Sequence, residues 1–182
     1  MRKIIFIFLG LLSLSANAVQ TKSETVVGSR VINSTLGEFH FVLHNLEHRP
    51  YSYDTNRAEI QITSIEGRPI QTIPVEVSFP RPGFDFIDLN DDGYIDLLFY
   101  SSDIPNGSIP LPEIYLYITK LNRFVKSTTL SGNGEITKSN QHGCVNIILE
   151  RNIDGYTEEE WCFTLETGRW KKVKENVNQI GE

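Results

Sequence analysis

Asp88, Asn90, Asp92 and Asp96 occupy the first, third, fifth and ninth places of the run Asp88-Leu89-Asn90-Asp91-Asp92-Gly93-Tyr94-Ile95-Asp96, with Gly93 sixth. Short oxygen-bearing side chains at alternate places of a tight loop turn toward one point. The peptide carbonyl of Tyr94, at the seventh place, can join them. A hard cation such as Ca²⁺ takes about six to eight oxygens and needs a glycine where the loop doubles back. An EF-hand would carry a glutamate at the twelfth place, where this chain has Phe99. The flanks alternate like strands, which sets the loop apart from a helix–loop–helix sensor. The plainer alternative is an Asp/Asn/Gly hairpin turn with solvated carboxylates. Without a cation, however, Asp88, Asp92 and Asp96 would repel one another at close range, so Ca²⁺ is the expected cofactor.

The elements that must hold this loop read as short strands. In 38–43, Phe39, Phe41 and Leu43 alternate with Glu38, His40 and Val42, the pattern of a strand with one buried face. Similar runs are expected at 57–65 and 70–79 about the Glu66-Gly67-Arg68-Pro69 turn, and at 84–88 and 94–100 about the acidic loop. Further strands fit 114–120 and 124–130 about Leu121-Asn122-Arg123, then 145–150, 159–165 and 170–174. No window carries a capped helical period, although a short helix also fits 45–55. The fold class expected is all-β: an antiparallel sandwich or flattened barrel of about eight or more strands. Asn152-Ile153-Asp154-Gly155-Tyr156-Thr157-Glu158 echoes the acidic loop but would start on Glu150, so it reads as a hairpin turn.

Residues 1–18 have the form of an export signal. Arg2 and Lys3 precede an apolar stretch that ends in Ala16-Asn17-Ala18, a small-x-small cleavage pattern. The stretch is too short to span a bilayer. Residues 19–28 then read as a flexible lead-in, 29–175 as one domain and 176–182 as a disordered tail. The net charge of −6 over 182 residues argues against nucleic acid or anionic lipid as partners, since both would be repelled. Cys144 and Cys162 are the only two cysteines. In an oxidising compartment they are expected to pair, because a hairpin about Ile153 sets them opposite each other on one face.

Enzyme chemistry finds little purchase. Neither thiol is expected to be free, no Gly-x-Ser-x-Gly elbow is present, and nothing pairs a nucleophile with a base. His40, His44 and His48 share a four-residue spacing, but their neighbours alternate as a strand, which places His40 and His44 on its solvent face rather than around zinc.

The stretch from about residue 59 to 173 resembles a family of bacterial periplasmic proteins. It includes inhibitors of invertebrate-type lysozyme and immunity proteins against secreted peptidoglycan-degrading effectors. The resemblance is carried by Ile70-Gln71-Thr72-Ile73, by Phe86 through Leu97 around the acidic loop, by Ile114-Tyr115-Leu116-Tyr117, and by Trp161 to Trp170. It implies an antiparallel β-sandwich that plugs the cleft of a lysozyme-like glycan hydrolase with a protruding loop, and some relatives carry calcium at the Asp-Gly turn. Here that loop corresponds to 101–113, with Ser101, Ser102, Asp103, Asn106, Gly107, Ser108 and Glu113 as contact candidates. Its Pro105, Pro110 and Pro112 depart from the small Ser/Gly-rich loop of the inhibitors, and they would stiffen the segment beside the metal-pinned turn. The acidic loop is also similar to that of FG-GAP and VCBS repeats, so a calcium-dependent binding module is the alternative.

Overall fold

The computed structural model describes residues 24–46, 56–77, 82–101, 111–151 and 155–179. Within them the chain is all-β, and its twelve strands form three antiparallel sheets of four. Each sheet is a meander of consecutive strands. The first contains β1 (Glu24–Asn33), β2 (Gly37–Asn45), β3 (Asn56–Ser64) and β4 (Pro69–Val77). The second contains β5 (Gly83–Ile87), β6 (Asp96–Tyr100), β7 (Glu113–Ile118) and β8 (Arg123–Lys126). The third contains β9 (Glu135–Lys138), β10 (Cys144–Arg151), β11 (Gly155–Thr164) and β12 (Arg169–Gln179).

The second sheet lies between the other two, so the expected antiparallel sandwich is borne out, in three layers. No sheet closes on itself among the described residues. The cause lies in β6 and β7. Leu97, Phe99, Tyr115 and Tyr117 enter one buried cluster with Phe39, Phe41, Ile60, Ile62 and Ile73 of the first sheet. Leu98, Ile114 and Leu116, on the opposite face, enter a second cluster with Val145, Ile147 and Trp170 of the third. A strand buried on both faces shows a continuous apolar run instead of alternation, as Leu97-Leu98-Phe99 and Ile114-Tyr115-Leu116-Tyr117 do. By contrast β3 has only one covered face, and it alternates.

The first cluster is rich in aromatic contacts. The Phe41 ring lies 4.8 Å from that of Phe86, and Tyr117 lies 5.2 Å from Phe124. Such pairs add about 0.5–1.5 kcal/mol each beyond their burial. Gln71 of β4 also binds the second sheet. Its side-chain amide donates to the Phe124 carbonyl at 2.9 Å and accepts from the Phe124 N–H at 2.8 Å. One side chain thereby satisfies part of the outer edge of β8, as a neighbouring strand would.

Several boundaries differ from expectation. Residues 24–28, read as lead-in, belong to β1, where Glu24 pairs with His44. β12 continues to Gln179, opposite Gly155, because the length of β11 offers it a partner, so 176–179 are not a disordered tail. The run expected at 124–130 ends at Lys126, and Ser131 then turns the chain back by donating from its N–H and hydroxyl to the Ser127 carbonyl. β9 had no expectation. The proposed helix at 45–55 begins on the last residue of β2, and 47–55 lie outside the described residues, as do the export signal and His48. His40 and His44 lie on β2, on the face away from Phe39, Phe41 and Leu43. His44 is nonetheless buried, with Nε2 3.1 Å from Gln61 Oε1. Cys144 and Cys162 are in register and bonded, as expected.

Candidate metal centre

The acidic loop joins β5 to β6, and its side chains bond to its own backbone. Asp88 accepts from the Asp92 N–H at 3.2 Å and from the Gly93 N–H at 2.9 Å. Asn90 Oδ1 accepts from the Asp92 N–H at 3.3 Å, while its Nδ2 donates to Asp92 Oδ2 at 3.0 Å. Asp92 Oδ1 accepts from the Tyr94 N–H at 3.0 Å. Gly93 sits at φ 84°, with nothing within 4 Å of where a Cβ would stand. Backbone conformation, not crowding, therefore demands glycine there. Tyr94 enters the loop through its amide, and its ring stacks on Tyr117 at 5.6 Å.

Asp96 is the deepest member, with no exposed surface. Its carboxylate accepts from the Leu89 N–H at 3.0 Å and from the Tyr117 N–H at 2.8 Å, tying the start of the loop to β7. Burial pushes its pKa from 3.8 up to about 8; the two amides oppose the rise, and the charges of Asp92 and Asp88 add to it. Burial likewise raises Asp92, and the Asp88 charge again contributes. Among the described residues no lysine, arginine or histidine pairs with Asp88, Asp92 or Asp96. The three carboxylates feel one another without a neutralising partner.

Asp91 falls outside the expected ligand places, and it is the residue that fastens the loop to the rest of the molecule. Held at φ 54°, it turns its carboxylate toward the third sheet. There it pairs with the Lys138 ammonium and accepts from the Gly143 N–H at 2.6 Å. The Gly143 amide and Lys138 lower its pKa. Lys138 also donates to the Asp88 carbonyl at 2.6 Å. On the other side, the Ile95 N–H donates to the Ile32 carbonyl of β1 at 3.0 Å. The loop is thus the junction of all three sheets. The disulfide is one residue away: Gly143, next to Cys144, accepts at its carbonyl from the N–H of Phe163, next to Cys162.

The donor set is all oxygen and carries surplus negative charge, so its chemistry fits a hard divalent cation. Each carboxylate oxygen that accepts one N–H keeps a second lone pair. Against this, no group of three or more Asp, Glu, His or Cys side chains among the described residues is disposed to hold a metal. The acidic oxygens are turned onto loop amides, and binding would require them to rotate inward from those bonds.

Of the partner-loop candidates, Ser102, Asp103, Asn106, Gly107 and Ser108 lie outside the described residues. Ser101 is partly buried. Glu113 opens β7 with its carboxylate bonded to Lys126 and to the Tyr115 hydroxyl at 2.6 Å. The 101–113 segment leaves the far end of β6, whereas the acidic loop sits at its start. A strand of five residues puts Tyr100, where the segment begins, about 16 Å from the acidic loop. No helix among the described residues is long and apolar enough to cross a membrane. No family model, curated protein or solved structure matches the chain.

Proposed function

We propose that this chain is an exported, non-catalytic binding protein. Its acidic loop takes Ca²⁺ through Asp88, Asn90, Asp92, Asp96 and the Tyr94 carbonyl, and it blocks a lysozyme-like peptidoglycan hydrolase by steric occlusion. The observation that carries the reading is the meeting of three unneutralised carboxylates, one fully buried, where three sheets join. A bound cation supplies the missing positive charge. The chain's own residues then hold the start of β6 in place: Asp96 spans Leu89 and Tyr117, and Asp91 grips Lys138 and Gly143. Any support for the 101–113 segment travels through β6 itself. The net charge of −6 favours encounter with a basic hydrolase.

Cell-wall lysis by lysozymes of several classes, followed with and without the protein, tests the inhibitor reading. Micromolar protein is expected to slow at least one class; if every class runs at full rate, the reading fails.

The stack of three four-stranded meanders favours a second reading, a calcium-dependent binding module similar to FG-GAP and VCBS repeats. A glycan-array signal that disappears in EDTA, with no lysozyme slowed, would select it.

A further inference from the structure

The hairpin turn between β9 and β10 carries both of the groups that grip Asp91. Lys138 ends β9, and Gly143 immediately precedes β10. Within the turn the Cys144 N–H donates to the Gln141 carbonyl at 3.2 Å, and the Ser139 N–H donates to the Cys144 carbonyl at 3.0 Å. Gly143 lies at φ 68°, and a Cβ there would stand 3.4 Å from the Asn90 carbonyl oxygen. The backbone of the turn therefore rests directly on the acidic loop.

What fixes the turn lies on its other side. β9 offers β10 only four paired positions, from Glu135 to Lys138. Toward β11, beyond the last paired residues, Gly143 accepts from the Phe163 N–H at 2.8 Å. A bond at the end of a ladder frays readily. The Cys144–Cys162 disulfide occupies the adjacent register position and closes that end. Cys144 is buried, whereas Cys162 is partly exposed, so an incoming thiolate meets the Cys162 sulfur.

We propose that this disulfide is a redox-sensitive lock on the acidic loop. Oxidised, it holds Gly143 in place, and Asp91 keeps the loop against the third sheet. Reduced by a dithiol, the lock opens. One thiolate of the dithiol attacks the Cys162 sulfur, the S–S bond breaks, and Cys144 leaves and takes a proton. The second thiol then closes the reagent into a cyclic disulfide and releases Cys162 as a thiol. Two electrons and two protons pass to the protein. The loop is thus completed only where disulfides persist, whether or not it carries Ca²⁺.

Amide hydrogen exchange of the full chain, read residue by residue in EDTA before and after dithiothreitol, tests the lock. Reduction is expected to speed exchange about tenfold at Gly143, Leu89 and Gly93, the scale of one charge-assisted hydrogen bond lost. Ile60 and Ile62, on β3 and paired on both sides, should not change. The doubly substituted Cys144→Ala, Cys162→Ala chain should match the reduced parent without any reagent. In Asp91→Ala the loop amides should already exchange fast, and reduction should add less than about twofold. Unchanged loop amides on reduction, equal acceleration at Ile60 and Ile62, or a full reduction effect in Asp91→Ala would each overturn the proposal.

Discussion

The turn at Ser64–Arg68 and the loop at Asp88–Asp96 are built from similar materials and serve different ends. Each joins two antiparallel strands, carries an acid, and places a glycine at positive φ: Gly67 at 77° and Gly93 at 84°. In the first, Gly67 donates to the Ser64 carbonyl, and Glu66 pairs with Arg68 in open solvent. Such an exposed pair adds little. In the second, the acids face inward, bond amides of the loop and of β7, and reach Lys138 and Gly143 of another sheet. A hairpin turn needs only its own residues. A junction needs groups that bond outward in several directions, and four acids and an amide within nine residues supply them.

Breaking the junction should therefore cost far more than breaking the turn. Asp96→Ala strands two buried N–H groups, and a loss of about 3 kcal/mol is expected in urea unfolding with calcium present. Glu66→Ala should leave the same curve unchanged. Equal curves for the two variants would mean that Asp96 is only a turn residue.

Chelation sharpens the contrast further. With Ca²⁺ at about a hundred times its Kd, the gain is about 2.7 kcal/mol, so EDTA should lower the melting temperature by several degrees. Asp92→Ala should remove that response, and Glu66→Ala should keep it. Identical melts with and without chelator in the parent protein would exclude a stabilising cation.

A smaller effect tests the outward grip. Asp91→Ala and Lys138→Ala should each cost about 1 kcal/mol, and the double variant less than the sum of the two, since they share one contact and each keeps another of its own. Strict additivity would show that they act separately.

The loop's acids also predict opposite pH slopes. Asp96 has a folded pKa raised to about 8, so between its ordinary 3.8 and that value the native chain holds a proton that the unfolded chain has released. Stability in EDTA should therefore fall as pH rises through this window and level off above it. Asp91 is depressed; its contribution is present above the ordinary carboxylate range and is lost on acidification. Calcium, by holding Asp96 ionised, should flatten the alkaline decline. A chelated protein equally stable at pH 5 and pH 8 would contradict the burial of an unneutralised Asp96.

Much of this was legible in the residues. Alternation along β2, β3 and β4 marks one-faced strands, and the spacing of Cys144 and Cys162 about Ile153 sets their register. The acidic loop announces its chemistry through residue type and spacing alone. The unbroken apolar runs of β6 and β7 also signalled a doubly covered sheet, a clue that an expectation of simple alternation passes over. β1 and β9 were missed because Gly28 and the short, polar β9 blur the two-residue period.

Composition and local spacing were enough to establish an all-β chain, its disulfide and an oxygen-rich loop, because each depends on residues a few places apart on a strand of known pleat. Two outcomes lay beyond that reach. Which sheet covers each face of the second is set only by stacking, and Asp91 rather than a motif acid grips the third sheet. Asp91 meets Lys138 and Gly143 across 47 and 52 residues of chain. Contacts so distant arise from how whole sheets stack, which no local period encodes.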